Sequence, residues 1–324
     1  MIKIVRSCIL FLVIIITGIS TGAYAENFPT KPIRIIVPFG AGGLADLSAR
    51  IIAQKLTELL AQSVVVENYP GAGGVVAAGL VAKSAPDGHT MLLMSNANAI
   101  SSTLFKKLPH DNLKDFTPIS TLGYFDLVIF TGTQSRYKNL QDFIDFSKAN
   151  PGELNLATIN VGSTQNLTGE LFKEQAKINI QVIPFNGTPA VISAVRGGQV
   201  DVGVEILGPI ITQINSNAIR VLAVTGSERS PFLPDAPTAK ELNIKEFTVS
   251  AWNALAVPSK TPTAIVAILN KAVVTALNSP DVQARFKDLC MEPRSSSVAD
   301  LQKLMVSEIA KWGAIINKAN IQKQ

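Results

Sequence analysis

The chain alternates short apolar runs with segments in which apolar residues recur every three or four positions. Residues 33–39 are almost continuously apolar, the pattern of a strand covered on both faces. In residues 44–62, Leu47, Ile51, Leu56, Leu59 and Leu60 share one face, with Asp46, Arg50, Gln54 and Glu58 largely opposite, which predicts an amphipathic helix. Residues 64–66 read as the next strand, 71–83 as a helix of small residues, and 90–95 as a third strand. This order predicts a mainly parallel sheet with right-handed crossovers.

The same grammar restarts further on, with strands at 154–158, 180–185 and 200–205, a loop at 162–164, and helices at 167–176 and 189–196. Two related lobes fit this better than a solenoid, whose period would be shorter. The apolar stretches 122–130 and 248–257 bracket the second unit and are candidate crossing strands. Helical patterns at 263–277 and 297–319 bury themselves best by returning to the first unit. The expected organisation is therefore lobe 1 at residues 26–122 plus 256–324 and lobe 2 at 123–255. Two chain crossings make a hinge, and a hinge allows closure on a ligand.

The N-terminus places the protein outside the cytoplasm. Lys3 and Arg6 precede the run I-L-F-L-V-I-I-I, and Ala23-Tyr24-Ala25 follows a break at Thr17-Gly18. This is the pattern of a cleavable signal peptide spanning residues 1–25, with export to the periplasm and cleavage after Ala25. The apolar run is too short to span a bilayer, and Cys8 precedes it, where an acylated lipoprotein cysteine would not sit. About 300 residues remain, a length suited to two ordinary domains. Only Cys290 stays in the mature chain, so an internal disulfide is excluded and the thiol reads as a small buried hydrophobe. The formal charge of +5 falls by the leader's two cations, and the rest are interspersed, so no nucleic-acid footprint results. A monomer is expected.

Catalytic and metal constellations are sparse. The two histidines, His89 and His110, have no ligand at helical spacing, which argues against zinc. No G-x-S-x-G elbow occurs, and Ser163 has no sequence-visible base, so no catalytic or metal site is expected. Gly40-x-Gly42-x-x-Ala45 after an apolar run, with Glu67 about 20 residues on, matches the spacing of a dinucleotide fingerprint. The physics requires only an anion, because unpaired N–H groups at a helix N-terminus accept any compact oxyanion, carboxylate included. A second such loop lies at residues 161–165. Open α/β sheets bind ligands outside the carboxyl ends of their strands, so facing lobes would aim both loops into one cleft. Export in the unfolded state disfavours a nicotinamide cofactor, and no cofactor is expected. An exported dinucleotide oxidoreductase or hydrolase on the same scaffold is the alternative.

Several motifs together resemble a known family. P-T-K-P-I-R-I-I-V-P-F at 29–39, Gly42-Gly43, Asp46, Ala49-Arg50, V-V-V-E-N-Y-P-G-A-G-G at 64–74 and P-D-G-H-T at 86–90 are similar to the periplasmic receptors of tripartite tricarboxylate transporters, the Bug or TctC family. The likeness continues in order through D-F-T-P at 115–118, N-P-G at 150–152, G-Q-V-D at 198–201, R-V-L-A-V-T at 220–225, L-P-D-A-P-T at 233–238, Trp252 and Lys311-Trp312. The resemblance implies a type II periplasmic-binding-protein fold: two α/β lobes joined by two crossing strands, closing on a di- or tricarboxylate, an amino acid or an aromatic acid. It implies membrane permease subunits as the partner. A receptor that signals to a sensor kinase is the further alternative.

Carried over to matching positions, the resemblance nominates Phe39, Gly40, Ala41, Gly42, Gly43 and Leu44 as a carboxylate loop acting through backbone groups and bridging waters. Asp46, in the next helical turn, is either a ligand contact or a favourable acid at a helix start. Ser95, Asn96 and Asn98 follow the third strand, where a ligand contact competes with turn chemistry. In lobe 2, Gly162, Ser163, Thr164 and Gln165 match a family element in which Ser163 stands for Thr and Asn166 for His. Ser163 could cap the helix, meet the ligand, or both. Phe185, Asn186 and Gly187, after Pro184, match P-Y-K-G with the tyrosine hydroxyl and the lysine charge lost. Ala41 replaces a proline, and His89 replaces a tyrosine and reads as a packing residue. Glu205 ends a strand on the ligand side. A buried unpaired carboxylate is costly, so it is solvated or has a partner, and a ligand ammonium, N–H or protonated group is one candidate.

Overall fold

The computed structural model describes residues 28–324, so the expected leader, 1–25, lies outside the described residues. In the first half, β1 (Ile33–Val37), α1 (Leu44–Leu60), β2 (Val64–Asn68), a single 3-10 turn (Ala72–Gly74), α2 (Val75–Ala82) and β3 (Thr90–Ser95) follow the expected order. Strand β1 pairs in parallel with both β2 and β3. Its neighbours Ile35 and Ile36 face opposite sides and are both fully buried, which explains why the run shows no alternation. Helix α1 buries Ala49, Ile52, Ala53 and Leu56, whereas Leu47 and Leu59 stay exposed. Its apolar face is therefore rotated from the one expected.

Helix α3 (Asn96–Leu104) leaves β3 without a loop. Strand β4 (Phe116–Gly132) then runs through both lobes. Its first part pairs antiparallel with β9 (Ser250–Pro258) as far as Asp126 opposite Ser250. From Leu127 onward it pairs with β7 (Val202–Ile206) and β8 (Ile219–Val224). Between these lie α4 (Leu140–Ala149), β5 (Asn155–Ile159), α5 (Thr164–Gln175), β6 (Gln181–Phe185), α6 (Thr188–Arg196) and, after β7, α7 (Leu207–Asn215). Strand β5 sits in parallel between β6 and β7. The strand order is β2-β1-β3-β9-β4-β7-β5-β6, with β8 and the short β10 (Glu292–Pro293) also on β4.

The result is two α/β lobes joined by crossing strands. The expectation of a mainly parallel sheet holds for the three outer strands of each lobe and fails in the middle. There β4 and β9 carry the chain between lobes and run against each other and against the strands beside them.

Helices α8 (Thr263–Leu277), α9 (Pro280–Asp288) and α10 (Val298–Lys318) close the chain. Helix α8 lies on α1 and β4, and α10 on α3 and β4. A buried polar cluster fastens α10. Glu308 Oε2 accepts from Trp312 Nε1 at 2.8 Å and from Asn96 Nδ2 at 2.8 Å, and Asn96 Oδ1 accepts from the Trp252 backbone N–H at 3.0 Å. The last long helix, the crossing strand β9 and the start of α3 thus share one knot. His89 is buried, with its ring centroid 4.9 Å from that of Phe28 in an edge-on arrangement and Nε2 accepting from the Thr30 N–H, and Cys290 is a buried free thiol.

Replacing Glu308 by leucine strands the Trp312 indole N–H in the interior and leaves the Asn96 amide only a long bond to the Ser250 carbonyl at 3.4 Å, and an unpaired buried group costs about 1–3 kcal/mol. The expected loss, read from urea unfolding of Glu308→Leu, is about 2–4 kcal/mol. A loss near zero would show that the knot does not fasten the helix.

Candidate ligand-binding cleft

A cavity of about 500 Å³ lies between the lobes. Its walls are the starts of α1, α3 and α5 and the turn before α2, and its floor includes Phe125 of β4 and Ala251 and Asn253 of β9. Among the described residues, no Lys, Arg, His, Asp or Glu lines it. The lobes also touch beside it: Leu104 of α3 abuts Gly162, where an added Cβ would collide with it, and Lys318 of α10 pairs with Glu174 of α5.

Each of the three helix starts is held by the same device. At α1, the Gly42 N–H donates to Asp46 Oδ2 at 2.9 Å. At α3, the Ser95 N–H donates to Asn98 Oδ1 at 3.0 Å, and the Ser95 hydroxyl accepts from the Ala97 N–H at 3.2 Å. At α5, the Gly162 N–H donates to Asn166 Oδ1 at 3.1 Å, and the Ser163 hydroxyl accepts from the Asn166 N–H at 3.1 Å. Gly42 and Gly162 have φ of 82° and 78°, a conformation that suits glycine. The side chain of the third residue of each helix thus fixes the chain just before it. The remaining first-turn N–H groups have no intrahelical partner, and at α1, whose cap is Gly43, no side chain takes one. Three positive helix ends converge on one space.

Of the nominated residues, Phe39, Gly40, Gly43, Leu44, Ser95, Asn96, Gly162, Ser163, Thr164 and Gln165 line the cavity. Ala41, Gly42, Asp46, Asn98, Phe185, Asn186, Gly187 and Glu205 do not. Asp46 stands behind the loop, where its carboxylate takes Gly42, Arg50 and Asn68 together. Asn98 is consumed by its cap. Phe185 packs on a lobe-2 cluster, and Gly187 caps α6. Glu205 is fully buried behind Gln165, whose Nε2 donates to it at 2.8 Å, with the Ile206 N–H at 3.0 Å and the Thr188 hydroxyl as further donors. Glu67, the acid of the dinucleotide-like spacing, is forked by Arg34 across β1 and β2 at 2.6 and 2.7 Å.

Sequence reasoning did not nominate residues 70–74, the apolar wall of Ile100, Leu104 and Phe105, the floor residues Phe125 and Asn253, or Gln324. The P-G-A-G-G string at 70–74 is the one legible signal among them, since it lies in a motif already noted. Gln324 reaches the cleft because its backbone pairs with Leu104 and Lys106, a contact no local pattern encodes.

Burial opposes the charge on Asp46, but the hydrogen bonds from Arg50, Gly42 and Asn68 outweigh it and hold the carboxyl below its ordinary range. For Glu205 burial wins and pushes the carboxyl up, although Thr188, Gln165 and the Ile206 N–H pull the other way.

Two α/β lobes on paired crossing strands, with uncharged walls and helix ends facing a shared cavity, define a solute-binding protein. The model of the tripartite tricarboxylate transporter family receptor, TctC, matches residues 48–321, and the chain belongs to that family of periplasmic solute-binding receptors, which are not enzymes. It is 34% identical over 303 residues to protein BugT of Bordetella pertussis, covering 93% of each chain. MatC of Rhodopseudomonas palustris, solved with bound malate, is 33% identical with a TM-score of 0.77, over 89% of this chain and all of that one. Another R. palustris protein, solved with adipate, is 30% identical with a TM-score of 0.81, over 91% and 99% of the two chains.

Asp46→Ala removes the brace of the first loop and is expected to destabilise the protein by about 1.5–3 kcal/mol at neutral pH. Because the folded carboxyl titrates below its unfolded value, this contribution is present above the ordinary aspartate range and fades as pH falls through the folded value. Urea midpoints of wild type and variant should therefore converge in acid, and a constant gap would refute the charged brace.

Proposed function

We propose that this receptor captures a small organic carboxylate, such as a di- or tricarboxylate, an amino acid or an aromatic acid, and delivers it to the membrane permease subunits of a tripartite tricarboxylate transporter. The observation that supports this best is the convergence of three braced helix N-termini on a cavity without a charged side chain. Peptide N–H groups and a partial positive charge of roughly half a unit per helix suit a carboxylate. Among the described residues, no acidic side chain lines the cavity to repel one. The cavity falls within the roughly 300–1,000 Å³ of small-molecule sites. That relatives of similar length were solved with malate and adipate agrees with the same ligand class.

In this reading Phe39, Gly40, Gly43 and Leu44 take one carboxylate with Ser95 and Asn96 beside it, and Gly162, Ser163, Thr164 and Gln165 approach from the other lobe. Ala41, Gly42, Asp46 and Asn98 shape the lobe-1 walls from behind, and Phe185, Asn186 and Gly187 support lobe 2. Residues 26–122 with 256–324 move against 123–255 about the paired strands. Cleavage after Ala25 releases the mature protein into the periplasm.

A melting screen against di- and tricarboxylates, acidic amino acids and aromatic acids tests this. A true ligand at a hundredfold excess over its Kd stabilises by about 2.7 kcal/mol, and small-angle scattering should register the same compound as a change in compactness. If no organic acid raises the melting temperature, the proposal fails.

A further inference from the structure

The helix starts offer the cleft N–H donors, and Gln165 offers it an acceptor. Its side chain is 95% buried, at 5% relative exposure, yet it lines the cavity, and its one hydrogen bond among the described residues is from Nε2 to Glu205 Oε2 at 2.8 Å. A primary amide carries its oxygen and nitrogen on one carbon, pointing apart. One N–H of the nitrogen goes to Glu205, which turns the oxygen away from that carboxyl and leaves it as an acceptor without a partner among the described residues.

Glu205 enforces that orientation in either protonation state. Its Oε2 accepts two N–H groups, from Gln165 and from Ile206, while Oε1 meets the Thr188 hydroxyl. When the carboxyl takes up a proton, Oε1 can carry it, because a hydroxyl partner can turn and accept instead. Oε2 then remains an acceptor and Gln165 does not flip. The side chains that brace the helix starts differ: Asp46, Asn98 and Asn166 spend an oxygen on the N–H groups of Gly42, Ser95 and Gly162.

We propose that Gln165 is a specificity-determining residue whose amide oxygen, aimed by the positioning residue Glu205, selects carboxylates bearing a hydrogen-bond donor, a hydroxyl or an ammonium, on their carbon chain. The inference rests on the receptor reading above. A donor-free acid would leave a buried acceptor unpaired, which is the strong form of discrimination available to a polar site. The hydroxyl and the ammonium are the two sources of that donor. Glu205 reaches the ligand only through Gln165.

Isothermal titration with matched acids tests this: succinate against malate and aspartate, and adipate against 2-aminoadipate. Wild type is expected to bind the better donor-bearing member at least about tenfold more tightly than the plain acid. Malate against aspartate separates hydroxyl from ammonium. Gln165→Leu should bring that ratio close to one. Glu205→Leu should lower the ratio as well, without touching the ligand. Glu205→Gln retains an oxygen for Gln165 and should restore it, a rescue that a purely structural role does not predict. Should Glu205→Leu fail to fold, Gln165→Leu and Glu205→Gln decide the matter between them. A wild type without preference, or a Gln165→Leu variant that weakens both members of a pair equally, overturns the selectivity proposal and leaves the receptor intact. Failure of these acids and of every acid in the melting screen to bind wild type defeats the receptor reading itself.

Discussion

The cleft depends on one constraint: the chain must hold its helix N-termini rigid without using up all the N–H groups they present. A serine cap takes one such group at α3 and one at α5, and no side chain takes one at α1. The rest of the rigidity comes from a side chain deeper in each helix, which grips the chain just before it. Asp46 holds Gly42, Asn98 holds Ser95, and Asn166 holds Gly162. The geometry is fixed from behind, and the uncapped N–H groups of the first turn stay available in front. Asn166, standing where the family element has histidine, fits this role because its amide oxygen accepts from Gly162 while Nδ2 donates to Thr158.

The braces need a frame, and the crossing strands supply it. Asn253 of β9 donates to Ser48 of α1 at 3.0 Å, and Trp252 beside it donates its N–H to Asn96 at the start of α3. Two adjacent residues on one crossing strand therefore set two of the three helix starts. Glu308 extends this through α10, and α10 reaches lobe 2 through Lys318 and Glu174. Lobe-1 site geometry, the hinge and the lobe contact are mechanically continuous, which is why side chains distant from the cavity belong to the description of the site.

Much of the frame was legible in the sequence because it rests on local periodicity. Strand β3 and helix α8 fall at the expected bounds, and the restart of strand-helix grammar marked the second lobe. What escaped had mixed signals. Helix α3 opens with Asn96 and Asn98, which read as turn formers, and only its capping box shows that they begin a helix. The rotation of α1 followed from counting Leu47 and Leu59 as core when their face looks outward. In the site, glycine loops were visible because their backbone demands are local. The partner of Glu205 was not, since Gln165 lies forty residues away in sequence and the two meet only once β7 and α5 are packed in one lobe.

The distribution of positive helix ends has a consequence for closure. A helix end acts over about one turn, far less than a full cationic charge in a weakly screened cleft. If a carboxylate is held by such ends from both lobes, separating the lobes takes one set out of range while the other alone binds weakly. An arginine or lysine in either wall would keep attracting the anion after opening. The dinucleotide-like spacing of the first loop is compatible with this logic but not with a cofactor site, because Glu67, which would have to reach a ribose, is tied to Arg34 across the strands. In the proposed reading, a backbone-built site shared between lobes would make retention a property of the closed state, the behaviour that delivery would require.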